Sequence, residues 1–176
     1  MNPPKLIILL LGGLLLHSVT SGSPSEDPWV SFRPLLGQWT GAGSGFGNFS
    51  DVTHEWEFVV QGHFLRLQTK SVPRDSKESP EIHEDIGFLS HDTDRSVFVF
   101  RQFLSEGFVN TFEVTVESGE LPKFFFSGRE SESAGGMRVQ IRLVFLSADE
   151  YKMELDLAAP GKEFSTCQQM QMKRVK

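Results

Sequence analysis

Residues 34–47 read Pro-Leu-Leu-Gly-Gln-Trp-Thr-Gly-Ala-Gly-Ser-Gly-Phe-Gly, and their spacing is the most informative pattern of the sequence. A single large aromatic residue, Trp39, is followed by glycine at every second position from Gly41 to Gly47. Because side chains alternate between the two faces of a strand, these glycines leave one face bare. Glycine inside a strand marks a bend or the close approach of another backbone, and closing a small β-barrel requires both. The alternative is a glycine-rich connecting loop.

The rest of the chain consists of short alternating runs of apolar and polar residues, separated by clusters of Gly, Pro, Asp and Ser. This pattern is typical of an antiparallel all-β protein. It predicts one antiparallel ten-stranded β-barrel over residues 34–176. Residues 22–33 are predicted to be a loose segment, with a short helical turn that plugs one end of the barrel, because apolar residues at 29–36 have near-helical spacing.

The N-terminus has the three regions of a secretory signal peptide. A positive start at Met1–Lys5 precedes an apolar run at Leu6–Leu16 and small residues for cleavage at 19–21. The run is about 11 residues long, too short to span a bilayer as a helix. We therefore expect residues 1–21 to be removed, the mature protein to be secreted or periplasmic, and the protein to have no membrane span. The sequon at Asn48 matters only in a eukaryote, and the sequence leaves the organism type open.

Composition limits the partners and the source of stability. The net charge of −6 repels phosphate backbones, so we expect no nucleic-acid partner. Cys167 is alone, which excludes an internal disulfide, and stability must come from the core. The 16 Phe against one Tyr favour a large dry interior, because Phe brings apolar area without a hydroxyl that needs a partner.

The hairpin of Asp51–Val60 and Gly62–Ser71 has a register that can be tested by the identity of facing residues. Phe58 facing Leu65 on one face leaves Glu57 facing Arg66 on the other, so apolar residues and opposite charges each fall together. This register points Trp56, His54 and His63 into the barrel. At the C-terminus, Leu143 is expected to face Met153, with Gln168 opposite Met153 on the inner face and Cys167 outside.

The middle hairpin, Arg95–Leu104 and Phe108–Glu117, allows two registers. A three-residue loop ending in Gly107 places Phe100 opposite Phe112 and Gln102 opposite Asn110 inside the barrel. A slip of one residue would instead turn Arg101 inward. We prefer the first register, because it buries large aromatic rings and leaves the charge in water. We also expect Glu84 to point inward, beside Ile86 and Phe88.

Three stretches in order carry a family resemblance. The Gly-x-Trp-x-Gly-x-Gly pattern from Gly37, with Arg174 near the last strand, resembles the calycin plan of lipocalins and fatty-acid-binding proteins. Residues 37–45, 55–65 and 100–110 resemble more closely the uncharacterised bacterial domain family allied to nitrobindin. The resemblance covers about residues 35–176 and implies a ten-stranded antiparallel barrel.

The resemblance also raises haem binding, and the chain departs from the family at that point. Nitrobindins hold haem through a histidine near the C-terminal end of the barrel, whereas the last histidine here is His91. The Tyr-Pro-Thr run that follows the glycines in nitrobindins is also absent. We therefore expect no haem and no other cofactor, and haem held through His54 or His63 remains the alternative.

The interior is the candidate site. No histidine or glutamate spacing typical of a metal site and no Gly-x-Ser-x-Gly nucleophile motif is present in the sequence, so we expect no catalytic or metal-binding residues. A barrel of this size is wide enough to keep a cavity. We predict a non-catalytic barrel that binds a small hydrophobic or amphipathic molecule. The alternatives are a haem- or NO-binding protein and a structural barrel without a ligand. The expected ligand-binding residues are His54, Trp56, Arg101, Gln102, Asn110 and Gln168.

Overall fold

A computed structural model describes residues 27–74 and 82–176; the predicted signal peptide lies outside these ranges. The described residues form a closed antiparallel barrel of ten strands in sequential order, with the first strand paired to the last. The predicted fold class is thus confirmed. The strands are β1 (Gly37–Gly45), β2 (Asn48–Val59), β3 (Phe64–Pro73), β4 (His83–Asp92), β5 (Val97–Leu104), β6 (Val109–Glu117), β7 (Lys123–Glu132), β8 (Arg138–Ser147), β9 (Glu150–Ala158) and β10 (Ser165–Arg174).

The glycines of β1 allow the barrel to close. A Cβ atom at Gly41 would lie 2.0 Å from the backbone oxygen of Gln171 on β10, and one at Gly45 would lie 2.7 Å from that of Cys167. Both distances are far below van der Waals contact, so only glycine permits this approach of β10 to β1. The prediction of a close backbone approach at the glycine run is confirmed.

A short 3-10 helix, Val30–Leu35, covers one end of the barrel, which we call the closed end. Its Phe32 and Leu35 are fully buried, and the Phe32 ring packs against the rings of Phe98 and Phe124. The predicted helical plug is confirmed. The opposite end, where the turns from β1 to β2, β5 to β6 and β9 to β10 lie, is called the mouth.

Three predicted registers are confirmed. Phe58 pairs with Leu65 and Glu57 with Arg66 across β2 and β3, and the latter two form a salt bridge. Phe100 pairs with Phe112 across β5 and β6. Leu143 pairs with Met153 across β8 and β9. These pairings place the predicted apolar rows in the core cluster or packed against it.

Strand β4 presents the opposite face from the one expected. Asp85, Gly87 and Leu89 are buried, whereas Glu84 is exposed, so the prediction that Glu84 points inward with Ile86 and Phe88 is wrong. The reason is the Phe100 ring on β5: a Cβ atom at residue 87 would lie 2.1 Å from it. The ring fills the space that an inward side chain from β4 would need, so the glycine faces it.

Local irregularities account for three further corrections. A register shift between Thr166 and Gln168 moves the β9–β10 pairing, so Gln168 pairs with Leu155 and not with Met153. His63 ends the turn between β2 and β3 and is exposed, so it does not point into the barrel. The preferred register of the middle hairpin also places Arg95 opposite Glu117, but Arg95 precedes β5 and forms its ion pairs with Asp92 and Glu113.

Helices of the described ranges are few and short. None of them within residues 27–74 and 82–176 has the length and apolar character that crossing a membrane requires.

Candidate ligand-binding site

The barrel interior holds large aromatic side chains at the closed end and smaller or more polar ones nearer the mouth. Large aromatic side chains at the closed end, including Trp39, Tyr151 and Phe124, are fully buried. Nearer the mouth, the inner face carries small or polar buried residues, among them Thr69, Ser71 and Asn110. Apolar residues there, Met153, Leu155 and Leu157, pack against the core yet keep part of their surface accessible. The inner wall is therefore partly accessible at these three residues of β9.

A buried polar cluster lies at the boundary between these two halves. His54 is 1% exposed, and its Nδ1 atom lies 2.6 Å from the Tyr151 hydroxyl. The two rings are stacked, with centroids 6.1 Å apart. The Tyr151 side chain reaches from β9 past β10 and β1 to His54 on β2.

Burial determines the ionisation of both rings. It lowers the pKa of His54 to about 4, although the nearby Asp85 carboxylate acts in the opposite direction. It also raises the pKa of Tyr151 well above its ordinary value, with smaller opposing effects from Trp56 and Arg174. At neutral pH the imidazole and the phenol are therefore both uncharged.

Asp85 supplies a buried negative charge on the next wall of the barrel. Its side chain is 4% exposed, and Oδ2 lies 3.4 Å from His83 Nε2. His83 in turn contacts Glu106 through Nδ1 at 2.6 Å. The hydrogen bond with Asp85, helped by Glu106 and opposed by burial, raises the pKa of His83 to about 9. His83 is thus a cation at neutral pH, held between two carboxylates at the mouth.

Several buried atoms of the described residues have no hydrogen-bond partner, and three of them belong to this interior: His54 Nε2, Trp56 Nε1 and Asp85 Oδ1. Pairing across β2, β3 and β4 places His54, Thr69 and Asp85 in one row on the inner face. Buried polar groups are normally satisfied, so this row has capacity for a bound group or for water.

The predicted site residues are distributed over two surfaces. His54 and Trp56 lie deep in the barrel, while Gln102, Asn110 and Gln168 lie on the inner face nearer the mouth, with Gln102 paired to Asn110. Arg101 is exposed and lines an outer cleft with Arg95 and Arg129, both of which bind Glu113. The preferred register is confirmed, and the inward placement of Arg101 that the slipped register implied is wrong.

Sequence reasoning missed Asp85 and Tyr151 as members of the interior cluster. The apolar pair Ile86 and Phe88 favoured the wrong face of β4, and only Gly87 signalled which residues alternate inward. Tyr151 is the one tyrosine in a chain with 16 phenylalanines. A unique hydroxyl on an aromatic ring predicts a polar partner, and that signal was available.

Haem does not fit the residues that the interior offers. Of the described histidines, only His54 combines deep burial with an unpartnered ring nitrogen; that nitrogen belongs to a row that also contains the Asp85 carboxylate. Haem also carries two propionates, and the buried residues of 27–74 and 82–176 include no Lys or Arg. In the same ranges, no three His, Cys, Asp or Glu side chains come together as a metal site.

Comparisons with known proteins support the fold. No family model and no curated protein matches the sequence. Among solved structures, the M. tuberculosis protein Rv2717c is similar, with a TM-score of 0.70 and 16% identity over 85% of this chain and 98% of that one. The S-type phycobiliprotein lyase CpeS of Guillardia theta is similar with a TM-score of 0.56 and 11% identity, covering 82% of this chain and 90% of that one. These likenesses support the fold alone, a closed antiparallel barrel of ten strands.

Proposed function

We propose that this protein is a non-catalytic barrel that binds a small, mostly apolar ligand in its interior. The observation that carries the proposal is the pair of unpartnered buried atoms, His54 Nε2 and Asp85 Oδ1, in a barrel whose inner wall keeps part of Met153, Leu155 and Leu157 accessible. The apolar body of the ligand would lie against the half-buried Met153 and Leu155. The polar end of the ligand would reach the inner row of His54, Thr69 and Asp85.

The charges of the interior restrict the ligand. Buried Lys and Arg are absent from the described ranges, and the His83 cation beside the row already contacts Asp85 and Glu106. A fatty acid would therefore bring a further carboxylate against groups that already share the His83 charge. Gln102 and Asn110, paired at the mouth, offer neutral amide groups to a second polar group of the ligand.

A panel titration tests the proposal. The full chain without its first 21 residues is titrated calorimetrically with fatty acids, retinoids and haemin. We expect saturable binding of an uncharged member and none of fatty acids. Gln102→Leu and Asn110→Leu should weaken that binding. If no member binds, the barrel is structural and the proposal fails.

Haem or NO binding, as in nitrobindin-like proteins, is the competing function. Its support is the family resemblance together with the deeply buried His54 imidazole, while the interior residues described above do not fit haem. Absorbance of the purified protein with haemin distinguishes the two: stoichiometric binding with a sharp Soret band would favour haem and replace our proposal.

Export is proposed from the sequence alone. The positive start, the apolar run and the cleavage region of residues 1–21 support secretion or transfer to a periplasm. N-terminal sequencing of protein recovered outside the cytoplasm should begin near residue 22, and material that still begins at Met1 would contradict export with cleavage.

A further inference from the structure

The hydroxyl proton of Tyr151 determines which nitrogen of His54 carries hydrogen. A buried phenol must donate its proton to an acceptor, and His54 Nδ1 lies 2.6 Å from the oxygen. The neighbouring Trp56 indole can only donate, so it cannot take this proton. Tyr151 therefore donates to Nδ1. Because the imidazole is neutral, its one hydrogen lies on Nε2, where no partner is present.

Asp85 offers the complementary atom. Its Oδ1 is an unpartnered acceptor, while Oδ2 is directed to His83. His54 and Asp85 are two strands apart in the same inner row, with Cα atoms about 10 Å apart, and both side chains are buried. Asp85 also raises the pKa of His54, against the larger effect of burial. The row thus presents one donor and one acceptor.

We propose that this row recognises an uncharged hydroxyl group, so that the ligand of the barrel is an amphipathic alcohol or phenol. The inference rests on the proposed function and names its ligand class. A hydroxyl accepts from His54 Nε2 and donates to Asp85 Oδ1, which satisfies both unpartnered atoms. An ammonium group has no acceptor for the imidazole N–H, a carboxylate has no donor for Asp85, and an ether accepts but cannot donate.

A matched set of probes isolates the head group. β-Naphthol, its methyl ether and the corresponding naphthoate share one aromatic body, and each is titrated into the full-length mature protein by calorimetry. Leaving a charged acceptor unpaired costs enough to weaken binding about tenfold or more. We therefore expect the ether to bind at least about tenfold more weakly than naphthol, and the naphthoate to bind more weakly still.

Two variants at adjacent positions of β4 locate the contact. Asp85→Asn removes the buried carboxylate and should reduce the preference for naphthol over its ether to less than about threefold. Glu84→Gln changes an exposed carboxylate on the other face and should leave all affinities unchanged. If Asp85→Asn does not fold, as judged by circular dichroism, His54→Phe removes the donor that both probes accept from, so it should weaken naphthol and its ether by about the same factor and leave the preference between them unchanged.

The outcomes separate this inference from the proposed function. Equal binding of naphthol and its ether would overturn the hydroxyl assignment and leave the ligand-binding barrel standing. Tighter binding of the naphthoate would overturn it as well. Failure of every probe to bind would refute the ligand-binding interior itself, and this inference with it.

Discussion

Arg174 joins the N-terminal plug to the last strand, and its removal should destabilise the barrel strongly. Its guanidinium lies 4.1 Å from the centroid of the Trp39 ring. It also donates to the carbonyl oxygens of Leu36, Pro34 and Ala148 and to the Asp149 carboxylate. Arg174 thus stacks on the Trp39 ring, and the hydrogen bonds add to this contact.

The expected loss of stability in the Arg174→Ala variant follows from these contacts. The cation–π contact contributes about 1 kcal/mol at this partial exposure. The carbonyls of Pro34 and Leu36 are partly buried, and leaving them unpaired costs about 1–2 kcal/mol each. The sum is about 3–5 kcal/mol. At roughly 2–4 °C per kcal/mol for a domain of this size, the melting temperature should fall by about 10 °C.

Thermal unfolding followed by circular dichroism checks this estimate, with two control variants. Arg174→Lys keeps the charge but loses the planar fork, and should recover about half of the loss. Arg138 lies 4.8 Å from the Phe164 ring on an exposed surface, so Arg138→Ala should cost less than about 1 kcal/mol. A fall of less than about 3 °C for Arg174→Ala would refute the assignment of Arg174 as the link between plug and barrel.

Three further predictions concern closure of the barrel and its pH dependence. Gly41→Ala should lower the free energy of unfolding by about 2 kcal/mol or more, because the new Cβ atom would meet the Gln171 oxygen. Gly119→Ala, with no atom within 4 Å of its Cβ, is the control, and equal effects in denaturant unfolding would contradict the close approach. The buried His54, with its pKa lowered to about 4, binds a proton more readily in the unfolded chain. The neutral His54 should therefore contribute about 3 kcal/mol to the free energy of unfolding above pH 6.5, and this contribution should be lost as the pH falls towards 4. His54→Phe should remove this part of the pH dependence, and an unchanged profile would count against it. His83 acts in the opposite direction: with its pKa raised to about 9, its stabilisation is complete below pH 6.5 and is lost as the pH rises through 9. His83→Gln should flatten the alkaline side of the stability profile, and a slope that persists would exclude His83 as its cause.

Facing residues explain why the sequence predicted some registers correctly. In β2 and β3, one register brings Glu57 to Arg66 and Phe58 to Leu65 at once, and a slip would break both pairings. The first strand was predictable because glycine at every second position removes the side chains from one face of a strand. The backbone of β10 approaches the strand at these glycines.

The sequence did not predict which face of β4 points inward, nor the register shift in β10. Ile86 and Phe88 are apolar yet face outward, where Ile86 pairs with Phe103 on β5. The pattern of β4 alone therefore favours the wrong face, and the decision depends on the Phe100 ring of another strand. The shift after Thr166 is equally invisible, because one extra residue leaves no compositional mark.

The interior row is a departure from the composition of the rest of the barrel, and this is the strongest reason to regard it as functional. The chain builds its core from phenylalanine, leucine and valine, which need no partners. Against that background, an imidazole, a phenol and a carboxylate are buried together, and two of the three keep an unpartnered atom. Each such atom costs about 1–3 kcal/mol that an apolar residue would not. In a sequence that otherwise fits its fold, residues that do not fit, such as polar groups in an apolar core, are expected at functional sites. Because one unpartnered atom is a donor and the other an acceptor, the cost is recovered by a single group that offers both.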